Sequence, residues 1–553
     1  MKQIIKNKSL ILLSLILAIA AFFRLYNLGS LPISLFGDEI DVAYHAVSLA
    51  ATGRDYMGHF LPTYIQSLTE WRAPLLMYLT APFVGLLGTS PFVVRFPVAL
   101  LGIVSVYLLY LLVKKLFQNE NTALIAAFVL SITPWHIHYS RASFEVVPLV
   151  FLLLWGTYLF VKEKYYASLI PFVLTFYTYS TANVFTPLFV LGLLFIFRPK
   201  LNLKNNWFRL IIPAIIIFPL ALNILFGQAA TRFKGISIFH DPKVIESIII
   251  QRTDPWISQS LLETFFHNKY FAYATTFGQN YLQAFSPDFL FLQGDPNFRQ
   301  SISGQGELLW VVLPFLLFGL YLTLRSLKEK SSQLFLYWLL IAPIASSLTQ
   351  GGGNHATRLF VMIPPLVIIS AVGLSKVIIL IKRRLLLLII FSLFVFCFGN
   401  YWHRYSSHYR FESASMWQSG YSDIFEQLQP LLKDAPKIYI NNTAALTLTR
   451  FAFFTNYSPS KFQKNIQNGL VSADSELFNG FRFGDNYFFG ETDADRLQQL
   501  LSPGDIFVAA QGKEIPGDWD WSKTPPQGFE SLAVTYDTLG KPQFYLLTKI
   551  QSK

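Results

Sequence analysis

Two adjacent carboxylates, Asp38 and Glu39, follow a glycine in Phe36-Gly37-Asp38-Glu39, with Asp41, His45, Asp55 and His59 close behind. The same stretch ends on Glu70-Trp71-Arg72-Ala73-Pro74. Acids placed beside an apolar segment suit a general base or a hard divalent cation, since both tasks need a carboxylate oxygen held in place. They equally suit a plain helix start, with an acid ahead of an apolar helix. A second group runs from Pro134 to Glu145 and holds His136, His138, Tyr139, Arg141 and Glu145. These residues could bind an anion or a metal; alternatively the histidines are interfacial and Arg141 and Glu145 form an i,i+4 pair. A third group comprises His267-Asn268-Lys269, Asn280-Tyr281, Ser286-Pro287-Asp288 and Gly294-Asp295. Its polar groups alternate with aromatic rings, as a surface for stacking on sugars does, although aromatics also anchor loops at membrane interfaces. The fourth is Gly351-Gly352-Gly353-Asn354-His355-Ala356-Thr357-Arg358. Exposed glycine N–H groups beside His355 and Arg358 would suit a phosphate, and the Lys-Ser/Thr ending of a nucleotide P-loop is missing.

These groups are spaced by long apolar runs. Of 553 residues, 53% are hydrophobic and 14% charged, against roughly 25% charged in a soluble globular protein. That composition excludes a disordered chain and argues against an ordinary cytosolic enzyme. The net charge of +12 does not indicate a nucleic-acid partner, because the Lys and Arg residues sit in short clusters between apolar runs, as topology signals do. The single Cys397 excludes an intramolecular disulfide. Lys2, Lys6 and Lys8 ahead of Leu10 to Phe23 resemble a signal peptide, but Phe22-Phe23-Arg24 lacks small cleavage-site residues and reads as an uncleaved first span.

A crossing helix needs roughly 20 apolar residues. Spans are predicted at 9–26, 95–117, 119–136, 145–161, 165–180, 182–197, 208–226, 307–324, 332–349, 356–374 and 384–401, about eleven in all. With the N-terminus cytoplasmic, Lys114/Lys115, Lys162/Lys164, Arg198/Lys200/Lys204/Arg209, Arg325/Lys328/Lys330 and Lys376/Lys382/Arg383/Arg384 all fall on the inner side. Residues 27–94, 227–306 and 402–553 then lie outside, with 74–88 as a helix at the outer interface. All four chemical groups share that outer side. Residues 402–553 alternate strand-like runs (Lys437 to Asn441, Asp505 to Ala510, Gln543 to Thr548) with helical ones. The expected fold is therefore an all-α polytopic membrane domain, 1–401, with large outer loops at 27–94 and 227–306, followed by an extracytoplasmic α/β domain at 402–553.

The motifs together resemble the GT-C membrane glycosyltransferases, in particular the bacterial protein-mannosyltransferase-like and aminoarabinose-transferase-like (ArnT/PMT) branch. The resemblance rests on Asp38-Glu39, Arg72-Ala-Pro-Leu75, Val94-Arg95-Phe-Pro-Val-Ala-Leu-Leu-Gly102 and Pro134-Trp-His-Ile-His-Tyr-Ser-Arg141. Phe176 to Ser180, Val184 to Pro187, Phe285 to Phe291 with Gly294-Asp295, and His355 to Arg358 before Pro364 complete it. It implies transfer of one sugar from a polyprenyl-phosphate donor to an acceptor glycan, lipid or protein on the outer face of the cytoplasmic membrane. It further implies Asp38 as the catalytic acid of the first loop, with Glu39 beside it, and Glu70 as a second acid. Arg72 stands where related enzymes carry a lysine for the lipid phosphate. Arg95 matches the arginine opening the second span, and Glu145 falls near a further acid. Arg72, Arg95, Arg141, His355 and Arg358 are thus donor-phosphate candidates. His136, His138, Tyr139, Glu145, Asn280, Tyr281 and Asp295 are candidates for sugar or acceptor. Metal dependence is left open by the resemblance: a lipid-monophosphate leaving group does not demand a cofactor, and Asp38, Glu39 and Glu70 with His267 have donor types for a divalent cation. Transfer of a whole oligosaccharide from a lipid diphosphate, or a lipid-linked sugar flippase, are the competing readings. A periplasm-dependent reporter fused after residue 94 or 401 is expected to be active, and one fused after Lys115 or Lys330 silent; the reverse pattern would overturn the orientation.

Overall fold

The computed structural model describes residues 2–68, 70–226, 235–253, 265–381, 383–442, 446–515 and 519–550. Lys382 of the last basic cluster and parts of the second predicted outer loop, 227–234 and 254–264, lie outside the described residues.

Each predicted span falls on helix. Four helices among the described residues are long and apolar enough to cross a membrane: Asn7–Leu25, Pro91–Phe117, Ala356–Leu380 and Arg384–Glu412. Shorter apolar helices occupy Leu75–Leu87, Glu120–Ser131, Val146–Val161, Tyr165–Thr175, Ala182–Phe197 and Trp310–Arg325. Two predicted spans are not continuous. The helix Glu120–Ser131 stops before Thr133, which is extended (φ −70°, ψ 119°), and a new helix, Pro134–Ser140, begins at the proline. Pro134 has no N–H and pushes the residue before it out of the helical region. The span at 332–349 is likewise split, into Lys330–Ile341 and Ile344–Ser347 around Pro343. Helix Arg384–His403 turns Leu385, Leu388, Phe391 and Phe396 outward, a surface that suits lipid.

The chain forms two compact units. One comprises Met1–Tyr26, Trp71–Leu76 and Val98–Ser407; the other Asn27–Glu70, Met77–Pro97 and His408–Lys553. In the first, helices Leu313–Arg325 and Ile363–Leu380 pack together with Gly319 against the main chain at Ile369, and Gly373 against Phe315. Only hydrogen in place of a side chain permits that approach.

In the second unit, residues of the first predicted outer loop fold with the C-terminal residues. Gln463 donates to Ser48 Oγ and Thr52 Oγ1, each at 2.8 Å, and to Asp55 O at 3.1 Å. Tyr44 donates to Tyr457 O at 3.0 Å. Among the described residues the C-terminal part contains seven strands: β1 (Ile438–Asn441), β2 (Val471–Ser472), β3 (Asn479–Phe483), β4 (Tyr487–Glu491), β5 (Ile506–Ala510), β6 (Phe529–Tyr536) and β7 (Pro542–Lys549). They lie in the order β2-β3-β4-β1-β5-β7-β6. The central β1 runs parallel to both neighbours, with Ile440 opposite Phe489 on one side and Val508 on the other. Every residue of β1 and β5 is buried, as expected of parallel strands covered on both faces.

Gly373→Leu should overpack the helix pair and cost about 1–3 kcal/mol or more. The thermal midpoint of the purified protein is expected to fall, while Gly399→Leu, where nothing lies within 4 Å of the added Cβ, leaves it unchanged.

Candidate functional site

The adjacent acids open the helix Gly37–Thr52, whose N-cap is Phe36 without a side-chain cap; Gly37 N–H is held instead by Gln418 Oε1 at 3.1 Å. Both carboxylates are in the first turn, where the helix dipole favours negative charge. They have different surroundings. Glu39 is fully buried and meets Arg95 in a two-pronged pair, Nε–Oε1 and Nη2–Oε2, both 2.9 Å. Arg95 also donates to Leu28 O (3.1 Å), Pro32 O (2.8 Å) and Ser34 O (2.6 Å), so all five of its N–H groups are engaged. Its guanidinium lies 5.6 Å from the Trp417 ring centroid. Arg95, expected as a phosphate ligand, is thereby a clamp on the loop that delivers the helix. Asp38 is only partly buried.

Arg450, which the sequence reading did not single out, is fully buried in the same region and donates to Leu35 O at 3.0 Å and to Gln418 Oε1. Burial lowers its pKa to about 10, while Asp38 and Glu39 act to raise it. Asp41, one helical turn on, organises the chain leading to Glu70. It accepts from Tyr56 OH at 2.7 Å and Ser67 Oγ at 2.5 Å, with His45 stacked on Tyr56 at 3.7 Å. Ser67 N–H in turn bonds Glu70 O at 2.8 Å. Glu70 itself is partly buried. The signal for this network was present as i,i+4 spacing of Asp41 and His45; its partners Tyr56 and Ser67 carried none.

In the first unit, Arg72 and Glu145 meet at 3.4 Å, both buried. Glu145 therefore pairs with Arg72 across the sequence. Arg141 is fully buried and donates to Phe23 O (2.8 Å) and Tyr26 O (2.7 Å) at the end of the helix Lys2–Leu25, and to Tyr405 OH, where a cation favours the helix terminus. His136 is also fully buried, its Nδ1 2.7 Å from Arg24 Nη2. His138 Nε2 bonds Arg299 O at 2.8 Å, and burial pushes its pKa down to about 4. Tyr139 OH bonds Thr357 Oγ1 at 2.9 Å. The histidines and Tyr139 are thus interior groups, not an open sugar-binding face.

Asp295 accepts from Ala356 N–H at 2.8 Å, capping the helical run that follows His355, and from Asn297 N–H at 2.8 Å. Gly294 has φ 72°, and any Cβ there would collide with Ser301 Oγ and the carbonyl of Gln305. Asp295 N–H reaches Glu307 Oε1 at 3.2 Å. Burial raises the pKa of Asp295. Glu307 is a second residue the sequence reading missed. Asn280 donates to Ser347 O and Thr349 O, and Tyr281 to Leu340 O, so both hold the chain beside the glycine turn. On that turn Arg358 donates to Thr349 Oγ1 (2.7 Å) and Gln350 O (2.9 Å) and stays partly exposed, as does His355. Burial and the nearby Arg358 lower the His355 pKa to about 3. Among the described residues no three His, Cys, Asp or Glu side chains form a group able to hold a metal ion, and the expected set of Asp38, Glu70 and His267 is not one.

His138 is a neutral donor in the fold, and its lowered pKa means that the unfolded chain binds the extra proton first as pH falls. Its contribution is full above about pH 6.5 and is lost as pH drops toward 4, about 2 kcal/mol between pH 7 and 5. Buried Asp295 acts with opposite sign, losing stability as pH rises. His138→Asn, which retains an N–H donor, is therefore expected to reduce the fall in thermal midpoint between pH 7 and 5. For the Glu39–Arg95 pair, Arg95→Met should cost about 3–5 kcal/mol or more, and Glu39→Leu/Arg95→Met should recover only the part due to the unpaired carboxylate, since Leu28 O, Pro32 O and Ser34 O still lose their donor, read by the same melt.

Residues 71–224 match the family model described as dolichyl-phosphate-mannose-protein mannosyltransferase. A dolichyl-phosphooligosaccharide-protein glycotransferase 2 of Archaeoglobus fulgidus is 30% identical over 206 residues, 35% of this chain and 34% of that protein. The chain thus spans about a third of the length of that relative. The crystal structure of ArnT from Cupriavidus metallidurans bound to undecaprenyl phosphate aligns over 96% of this chain and 97% of that one, with a TM-score of 0.51 at 12% identity. Its apo form gives a TM-score of 0.53 over the same shares. At this identity the likeness is one of fold.

Proposed function

We propose that the chain, whose fold is like that of ArnT and whose residues 71–224 match the protein-mannosyltransferase model, is a GT-C-type membrane glycosyltransferase that moves a single sugar from a polyprenyl-phosphate donor to an acceptor hydroxyl. The reaction takes place on the outer face of the cytoplasmic membrane, with about eleven spans and the C-terminal residues outside. The observation carrying this reading is the division of labour in the adjacent acids: Glu39 is fully buried against Arg95, while Asp38, in the same helical turn, stays partly exposed.

Asp38 takes the proton of the acceptor hydroxyl as its oxygen bonds to the anomeric carbon. The bond from that carbon to the phosphate oxygen breaks, and the lipid phosphate leaves with the electron pair. A carboxylate within hydrogen-bond reach supplies the base, and a guanidinium stabilises the growing phosphate charge. Arg358 is the favoured partner for that charge because it is partly exposed on the glycine turn, whereas Arg95 and Arg141 are buried clamps. The A. fulgidus relative's name, a phosphooligosaccharide glycotransferase, supports a second reading in which an oligosaccharide leaves a diphosphate carrier.

The test is turnover of radiolabelled polyprenyl-phosphate sugars by the reconstituted protein. Asp38→Asn is expected to lower turnover by about 10²–10⁴-fold and Arg358→Ala by a lesser factor, with thermal midpoints unchanged. Full turnover by Asp38→Asn would overturn the assignment. Turnover of a polyprenyl-diphosphate oligosaccharide with release of lipid diphosphate, and of none of the monophosphate-linked sugars, would establish the second reading.

A further inference from the structure

The parallel part of the C-terminal sheet contains a crevice of about 250 Å³ that none of the chemistry above uses. Its position follows from the topology. The central strand β1 leads into the helix Thr447–Phe454, whose Phe451 packs on Tyr487 and Phe489 of β4. Strand β4 leads into the turn Leu497–Leu500, and Leu497 packs on the other face, in a cluster with Tyr439 and Phe507. Phe488 stacks on Tyr439 on that same face, 4.7 Å between centroids, and successive side chains of a strand point to opposite faces. The chain therefore leaves β1 and β4, neighbouring parallel strands, toward opposite faces of the sheet. Such a divergence opens a gap outside the carboxyl ends of the strands, which is where open α/β sheets bind ligands.

The crevice lies at those ends. Glu491 closes β4 and pairs with Asn479 of β3. Glu514, 4% exposed, bridges the ends of the other two parallel strands: its carboxylate accepts from the Asn441 amide at the end of β1 and from Ala510 N–H, 3.0 Å away, at the end of β5. Burial raises the Glu514 pKa, and the nearby Glu491 adds to the shift. At the rim Arg496 and Asp493 form a 3.1 Å pair, and Lys513 stands beside them. Glu514 is thus fixed across two strand ends, with Glu491 near it on the lining of the same crevice.

The lining chooses among ligands. A phosphate or other anion would face three carboxylates. A bare cation would face Arg496 and Lys513, and no metal-holding group occurs among the described residues. An apolar ligand would find charged and amide groups. A hydroxyl both donates and accepts, so a polyhydroxylated ring satisfies carboxylates and cations together.

We propose that this crevice binds one sugar residue of a glycan through its hydroxyl groups, making the C-terminal sheet a carbohydrate-capture site. The inference does not depend on the transfer reaction. The probe is saturation-transfer difference NMR on the full-length protein in phosphatidylcholine nanodiscs, free of glycosidic detergent, against a panel of neutral and amino monosaccharides, inorganic phosphate and calcium. At least one monosaccharide is expected to bind, with affinity lowered about ten-fold or more in Asp493→Ala/Lys513→Ala, a loss of charged hydrogen bonds at the rim. Both replaced residues are exposed, and an unchanged melt excludes misfolding. Asp38→Asn should bind as wild type does. Binding of no sugar, equal binding by the double variant, or displacement of the sugar by phosphate or calcium would each overturn the proposal. Donor turnover measured on the same double variant keeps this outcome separate from the transferase reading.

Discussion

A guanidinium withdrawn from water brings a charge and five N–H groups with it, and the chain can close over it only when each finds an acceptor. Arg95 meets that condition with three carbonyls from residues 28–34 and both oxygens of Glu39. The path of the loop entering the Gly37–Thr52 helix is thus dictated by one buried cation, and so is the position of Asp38 at its start. Arg24, Arg141 and Arg450 are also fully buried and also bonded to main-chain carbonyls. Where Lys would present three donors on a flexible stem, the planar fork of Arg can hold several strands of backbone at once. Two of the four arginines that look like anion receptors in the sequence, Arg95 and Arg141, are for this reason fasteners in the fold.

The buried acids of the first unit obey the same requirement with the opposite sign. Asp295 accepts two backbone N–H groups, one of them at the start of the helical run after His355, while Glu307 accepts a third from Asp295 itself. The raised proton affinity of Asp295 and the lowered affinity of His138 and His355 have one cause, burial disfavouring the charged form. The glycine turn stays partly exposed at His355 and Arg358, so it combines a firmly capped frame with donors that still reach solvent.

The C-terminal residues belong structurally with the first loop. Gln463 alone bonds three positions between Ser48 and Asp55, and Arg450 bonds Leu35. A domain that reads in the sequence as an appendage thereby supports the helix carrying Asp38 and Glu39. Its sheet also has a central parallel strand flanked by crossovers to both faces, an arrangement suited to a ligand of its own.

Composition and the placement of Lys and Arg determined the membrane class and the helical positions, because both follow from transfer free energies that act residue by residue along a local run. The Asp38-Glu39 pair at a helix start was legible for the same reason: an acid in the first turn is a local preference. The splitting of the runs at Pro134 and Pro343 was legible too, had proline's missing N–H been weighed against hydropathy. What the sequence left undecided is which charged groups are buried and which keep a face to solvent. Glu39 pairs with Arg95 across 56 residues, Arg72 with Glu145 across 73, and Arg450 reaches Leu35 across 415. Those pairings minimise the cost of burying charge over the whole fold, a quantity that no local window contains, so only the tertiary structure separates Asp38 from Glu39 and Arg358 from Arg95.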